Sequence, residues 1–308
     1  MANDVANVAN LAILQGQGLE EAGAVVWWEL SGMLSGADLA DELLARGFSA
    51  NDPAVLNVIA PSPEVALYRA AAQALRGRKH LLRTISRGSW EAFEEQIVRD
   101  ADGDERLEVT SIARGGVRRS AGSEPQPFVK STHPELGPAF AELTLAAYGL
   151  HRRVWHTSDV GGWMIYVANQ AAVSAVALRS SGGFYFVPRS ALARWRAMAE
   201  AVQAVSSNVL RELPAMKTEQ CAQAVIAAVQ REAAQGLSEV QSYLSGEVTS
   251  KRGIASAESR IADALAKIQR YADLFGGDFG AIRAQAEELQ AGCAIAMLAA
   301  QAAAGATA

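Results

Sequence analysis

The sequence has little of what most enzymes use. It holds two cysteines and four histidines in 308 residues. Cys221 and Cys293 lie far apart in Ala-rich stretches, without a CxxC pair or a nearby histidine cluster, which excludes a disulfide framework and a zinc site. Both read as small core residues. There is no GxxxxGK(S/T) phosphate loop, no GxSxG nucleophile elbow and no HExxH. Gly16-Gln17-Gly18 imitates the start of a dinucleotide-binding turn, but Glu21 stands where the third glycine belongs, and a carboxylate beside a pyrophosphate has the wrong sign. An ordinary loop is the better reading. No catalytic residue, cofactor site or metal-ligand set is assigned.

Bases are missing from residues 1–45, which carry seven acids, so the basic n-region of a secretory signal is lacking and a cytoplasmic location is expected. Long apolar runs are scarce too. Val160 to Leu178 is uncharged, but Gly161, Gly162, Asn169, Gln170 and Ser174 make it too polar for a membrane span, and no membrane contact is expected. The uncharged, Ala-rich stretch 291–308 reads as a fraying helix end.

What remains is ordinary globular usage: 50% hydrophobic, 20% charged and 6% aromatic, which rules out a wholly disordered or collagen-like chain. Alanine is concentrated after position 190 and biases the C-terminal third to helix. The net charge of −5 is unevenly spread, since residues 109–200 hold ten bases against five acids, a local surplus of positive charge. Arg76, Arg78, Lys79, Arg83 and Arg87 form a basic cluster, followed by an acidic run from Glu91 to Glu108.

These patterns predict an α+β fold: an N-terminal antiparallel meander with helices, a central helix-hairpin region and a C-terminal helical hairpin or bundle. Residues 1–23 are expected to be a mobile N-terminal segment. In the α+β region 24–114, a strand over 24–30 precedes a helix over 38–46 capped by Ser35, then a helix over 63–76 with Val65, Leu67, Tyr68 and Ala72 inward. Three runs, 80–87, 90–100 and 106–114, form the meander, with Asp100-Ala101-Asp102-Gly103-Asp104 as hairpin turn. The Asp alternation there resembles a calcium loop, but its glycine is misplaced and Ser111 stands where a bidentate carboxylate is needed.

Residues 115–133, rich in Gly, Ser, Pro and Arg, read as a linker or mobile loop. The helix-hairpin region 134–214 follows, with helices over 134–150 and 158–171, a hairpin through Ser180-Ser181-Gly182-Gly183 whose paired glycines are expected at positive φ, and a helix over 191–205. In the helical bundle 215–308, three apolar stripes recur at helical spacing: Cys221 to Leu244, Ile254 to Phe275 and Phe279 to Met297. Trp27, Trp28, Trp163 and Trp195 read as core.

Val26-Trp27-Trp28-Glu29-Leu30-Ser31-Gly32, Pro61-Ser62-Pro63-Glu64-Val65-Ala66-Leu67-Tyr68-Arg69-Ala70 and Leu178-Arg179-Ser180-Ser181-Gly182-Gly183-Phe184-Tyr185-Phe186-Val187-Pro188 carry a resemblance. Over residues 24–245 the chain resembles a family of prokaryotic and phage proteins known only as a domain of unknown function. The Gly-Gly-aromatic-Tyr-Phe-Val-Pro block is its most specific part. The resemblance implies a domain extent and an intracellular or phage setting, and it brings no catalytic residue.

The expected role is a non-enzymatic intracellular accessory protein of phage or mobile-element origin that acts through protein–protein assembly. Homo-oligomer or partner contacts are expected through the C-terminal helices, with Ile261, Leu265, Ile268 and Leu289 as the interface, because Ala-rich stripes bury little area and invite a partner. The alternative is a nucleic-acid-binding accessory protein whose Arg118, Arg119, Arg152, Arg153 and Arg179 neutralise phosphates, with the 180–183 hairpin as a wing. An enzyme with an unrecognised site is the third reading. His133, His151 and His156 lie within 24 residues, but His151 and His156, five apart, do not share one helical face; a solvated or hydrogen-bonded role is expected, with a metal or acid–base role as the alternative.

Overall fold

The structure, a computed structural model, describes residues 20–76, 80–86, 88–99, 105–120, 122–180, 183–246 and 250–306, with side chains to residue 298. The expected mobile segment therefore lies mostly outside the described residues, as do Gly16 to Gly18, Arg78, Lys79, Arg87, the turn 100–104, Ser181 and Gly182. The chain is α+β. In order it forms β1 (Glu21–Glu29), β2 (Leu34–Ser35), α1 (Gly36–Ala45), α2 (Pro53–Leu56), α3 (Pro63–Ala74), β3 (His80–Ser86), β4 (Ser89–Arg99), β5 (Glu105–Arg118) and β6 (Gln126–Ser131). Then follow α4 (Leu136–His151), β7 (Val154–Trp155), α5 (Thr157–Asn169), β8 (Val176–Ala177), β9 (Tyr185–Pro188), α6 (Arg189–Ala204) and β10 (Val209–Met216). Three long helices close the chain: α7 (Glu219–Leu244), α8 (Lys251–Phe275) and α9 (Gly280–Ala306). Its contacts divide it into two units, one of Met1–Leu30, Met164–Gln203 and Asn208–Ala308, the other of Ser31–Trp163 and Ala204–Ser207.

The first unit is built on an antiparallel sheet of order β10-β1-β9-β8. Directly paired residues share a face, so Val25, Phe186 and Val176 line one side, where Phe186 and Val176 pack with Val225, Val229 and Tyr271 of α7 and α8. On the other side Trp28 stacks on Tyr185 at 5.1 Å and meets Trp195 of α6 at 6.1 Å. Trp195 is buried as expected, whereas Trp27 and Trp28 are half-buried. The turn after α5 reverses through Ser174 at φ 52°, a conformation costly for a residue with a Cβ. It is held by the buried Tyr271 hydroxyl, which donates to the Ser174 carbonyl at 2.8 Å.

The C-terminal stripes form the helices their spacing predicts. Thr218 and Ser250 cap α7 and α8 through their hydroxyls, and Gly276 ends α8 at φ 69°, where only glycine is unstrained. Leu237, Val240, Ile254, Ala257, Ile261, Ala286 and Cys293 interlock as one core of the three helices.

The second unit holds the meander as a sheet of order β3-β4-β5-β6, covered by α3 and α4. Its core gathers Leu67, Ala71, Trp90, Ile112 and Phe140. Two indoles are satisfied by loop carbonyls: Trp155 donates to Ile59 O and Trp163 to Ala54 O, both at 2.9 Å. Trp163 is core as expected.

Three sequence expectations are corrected here. Residues 115–133 are not a linker as composition suggested, because β5 runs to Arg118 and pairs with β6. Their glycines serve close approach, since a Cβ on Gly115 would lie 2.1 Å from the Trp90 ring and one on Gly116 3.0 Å from Phe128. On α3 the buried stripe is Ala66, Leu67, Ala70 and Ala71, while Val65 and Tyr68 are 41% and 38% exposed. Small side chains let the helix sit close to its neighbours, and this sets the phase against the bulkier residues. The 176–187 hairpin forms, but Gly183 is not left-handed, and a Cβ there would make an ordinary 3.4 Å contact with Trp28.

Candidate functional site

Of the arginines offered for phosphate contact, four belong to the second unit and Arg179, exposed, to the first. Arg118 lies over the Phe128 ring at 4.7 Å and Arg119 donates to Glu64 at 2.5 Å, an ion pair that holds the Glu64 carboxyl below its usual range. Arg152 donates to Pro61 O, and Arg153 to Gly149 O at 3.2 Å. Each of these four side chains therefore has a partner within its own unit.

Of the four residues offered as an interface on the C-terminal helices, two are buried and two half-buried within the single chain. Ile261 and Ile268 are 1% and 0% exposed inside the single chain, and Leu265 and Leu289 pack against the Ile261 core. The stripes expected to need a partner are filled by each other. Between α7 and α8, a groove of about 660 Å³ passes Ser174, Gly236 and Ala264. Its charges bridge the helices, with Lys267 on Glu232 at 2.5 Å and Arg260 on Glu239 at 3.3 Å.

The two histidines kept apart by helical spacing meet. His156 lies beyond the helix end at His151, and the chain turns through Arg152 and Arg153 to bring it back. His151 Nδ1 is 3.0 Å from His156 Nε2, and His151 Nε2 is 2.7 Å from the Gln73 carbonyl oxygen. The amide oxygen accepts only, so Nε2 of a neutral His151 carries the proton and Nδ1 accepts from His156. Burial, then the neighbouring His156, Arg69 and Arg76, lower the His151 pKa. Burial, Arg69 and Arg76 lower that of His156, against a rise from Asp159. Asp159 accepts from the His156 N–H at 2.9 Å and from both Arg69 terminal nitrogens at 2.5 and 2.8 Å. Burial raises its pKa, and the bonds from Arg69 and His156 N–H more than reverse this. The network ties α3 to the end of α4 and the start of α5, which is a fastening role.

Among the described residues, one exposed apolar surface is the far half of the β4–β5 hairpin. Within the same described residues β3 pairs with β4 as far as Glu94, from His80, and β6 pairs with β5 back to Ala113; residues 77–79 lie outside the described residues. Beyond these points Glu95↔Val109, Gln96↔Glu108, Ile97↔Leu107, Val98↔Arg106 and Arg99↔Glu105 form a ribbon of two strands. One face presents Ile97, Leu107 and Val109 at 66%, 61% and 48% exposure, ending in the Arg99–Glu105 ion pair at 2.5 Å. Apolar side chains in a cluster on an isolated ribbon are costly in water, and such patches mark contact sites. Residues 94–108 carry seven acids and two bases, so the ribbon is acidic as well as apolar. The sequence signal was the alternation of Ile97 and of Leu107 with Val109 inside the acidic run.

A family model matches residues 22–304, nearly the whole chain. The chain belongs to the family of unknown function DUF6744. The match is consistent with the expected uncharacterised domain family, and it extends past residue 245 to take in all of α8 and most of α9. No curated protein and no solved structure matches the chain. Among the described residues no helix is long and apolar enough to cross a membrane, and α5, which covers the first part of the uncharged run, has 13 residues.

Proposed function

We propose that this member of the family is a non-enzymatic accessory protein of an intracellular, phage or mobile-element setting, and that it works by protein–protein assembly through the β4–β5 ribbon. The observation that carries this reading is the exposed Ile97–Leu107–Val109 face on a ribbon that, among the described residues, has no sheet neighbour on either edge. Its acidity favours a protein surface with an apolar centre and a basic rim. It disfavours a nucleic acid, whose phosphates would repel seven carboxylates. The engagement of Arg118, Arg119, Arg152 and Arg153 within their own unit weighs the same way.

The test is an intact-complex mass measurement on full-length wild type and on an Ile97→Lys/Leu107→Lys variant. A stoichiometric protein complex formed by wild type and lost by the variant, at unchanged melting temperature, supports the reading. A variant that keeps every complex overturns it. So does a chain that binds DNA or RNA with a steep salt dependence abolished by Arg118→Ala/Arg119→Ala/Arg152→Ala/Arg153→Ala, which would restore the nucleic-acid reading.

A further inference from the structure

Strand β5 has an open edge along its outer half. Its inner half pairs with β6, and beyond that pairing the Ile112 carbonyl accepts from the N–H groups of Thr132 and His133 at 2.8 and 3.1 Å. The chain then turns into α4, so residues 105–110 have β4 on one side and, among the described residues, no strand on the other. All of them are exposed, and their register with β4 runs unbroken from Phe93↔Ser111 to Arg99↔Glu105. Alternate residues of such a stretch turn their N–H and C=O groups outward, here along about 20 Å of edge. Proline and bulges commonly blunt an exposed edge, and residues 105–110 contain neither. The guard that remains is charge. Glu105, Arg106 and Glu108 sit on this edge, and residues 94–108 as a whole carry seven acids against two bases. That charge repels a second acidic ribbon and admits a segment of opposite sign.

The edge is sorted by face as well. Directly paired residues share a face, so a strand laid antiparallel on β5 sets side chains beside Glu105, Leu107 and Val109 on the face that holds Ile97, and beside Arg106, Glu108 and Thr110 on the other. The complementary neighbours are apolar residues for Leu107 and Val109, and Lys or Arg for Glu105 and Glu108. The ion pairs Arg99–Glu105 and Arg106–Glu108 are exposed and therefore weak, which leaves both carboxylates able to take a second cation.

We propose that the partner of the ribbon contributes an extended basic segment, with apolar residues in alternation, that adds to the open edge of β5 as a further antiparallel strand in line with β6. This rests on the assembly reading above and names the partner's chemistry and its mode of binding. Backbone bonds supply the docking and the alternating side chains supply the choice. A ribbon of two strands is marginal in water, and a third strand beside Leu107 and Val109 completes it.

The probe is the peptide acetyl-Thr-Val-Lys-Val-Thr-Lys-amide, whose residues fall opposite Thr110, Val109, Glu108, Leu107, Arg106 and Glu105 in that order. Titrated into the full-length chain, it should bind and shift the amide signals of residues 105–110 in nuclear magnetic resonance spectra. Glutamate in place of both lysines should weaken binding by about 10-fold or more, because two cross-strand attractions become repulsions. Methylation of backbone nitrogens separates strand addition from charge attraction alone. Of the two alternate sets of peptide nitrogens, one donates to β5 and the other faces solvent, so methylation of one set should abolish binding and methylation of the other should leave it within about threefold. A Glu105→Lys/Glu108→Lys chain, changed only at exposed side chains, should lose affinity for the lysine peptide and gain it for the glutamate one; if it melts lower than wild type, Glu105→Gln/Glu108→Gln takes its place and should show the loss alone.

A lysine peptide that does not bind at millimolar concentration overturns this inference, as do two methylated sets that bind alike and a glutamate peptide that binds as well as the lysine one. So does a free chain with the light-scattering mass of a dimer and protected amides along 105–110, since a second copy would then hold the edge. The assembly reading is tested apart from this, by whether Ile97→Lys/Leu107→Lys keeps its protein complexes, and it can stand when the peptides fail.

Discussion

Ile261 was first a candidate for an interface between subunits, and the structure makes it a core residue, so replacing it with alanine separates the two. It is 1% exposed on α8, among Leu237, Val240, Ile254, Ala257, Ala286 and Cys293. Three of its seven-member core, counting Cys293, are small side chains that hold the helix backbones close, so the space left by the lost carbons closes poorly. Isoleucine-to-alanine changes in such surroundings cost about 2–5 kcal/mol, and the upper half of that range is expected here. Leu265, one turn on and half-buried, should cost about half as much under the same change. The assay is urea unfolding followed by far-ultraviolet circular dichroism. At an m-value of ~2 kcal/mol/M, a loss of ~4 kcal/mol moves the midpoint down by ~2 M. Native light-scattering mass should not change. A cost below ~1 kcal/mol together with a lower mass would put Ile261 at a subunit interface and refute its place in the core.

Two other outcomes follow from buried polar groups. The pKa values of His151 and His156 are lowered by burial first, so folding stability should be greatest where both are neutral. As pH falls below the unfolded value of about 6.5, the unfolded chain takes up protons before the folded one, and stability is lost until the folded-state values are passed. Urea midpoints across that window should fall in wild type and fall less in His151→Gln/His156→Gln; equal slopes would sink the argument. Tyr271→Phe removes the donor to Ser174 O and should cost about 1–2 kcal/mol, because the carbonyl of a left-handed residue is left bare. In an alkaline spectroscopic titration the native protein and this variant should show the same number of ionising phenols, since burial pushes the Tyr271 phenol far up.

The legible part of the fold was the part in which one helix face is apolar. The stripes from Cys221 to Met297 sort inside from outside at three- and four-residue steps, and Val225, Val229, Leu237, Val240, Ile254 and Ile261 are buried as that spacing requires. The meander was legible from turn residues between alternating runs. On α3 the phase was lost because packing through Ala66, Ala70 and Ala71 turns Val65 and Tyr68 outward, and side-chain volume is a poor guide where helices pack closely.

The end of β5 and its pairing with β6 were hidden by Gly115 and Gly116, which mark flexibility in isolation but here make room for Trp90 and Phe128. The pairing of His151 with His156 was missed because helical spacing was applied across a helix end. The ribbon's residues were visible, but their exposure depends on where β3 and β6 stop, a fact of register that no local pattern carries.

The central claim is that assembly uses the ribbon and not the C-terminal helices, and hydrogen exchange tests it directly. Among the described residues, 95–99 and 105–109 pair only with each other in the sheet, so in dilute protein their amides should exchange faster than those of the inner half of the hairpin. On association they should slow, with peptides of α7, α8 and α9 unchanged. Slowing confined to α7, α8 and α9, with the ribbon exchanging as before, would contradict the account.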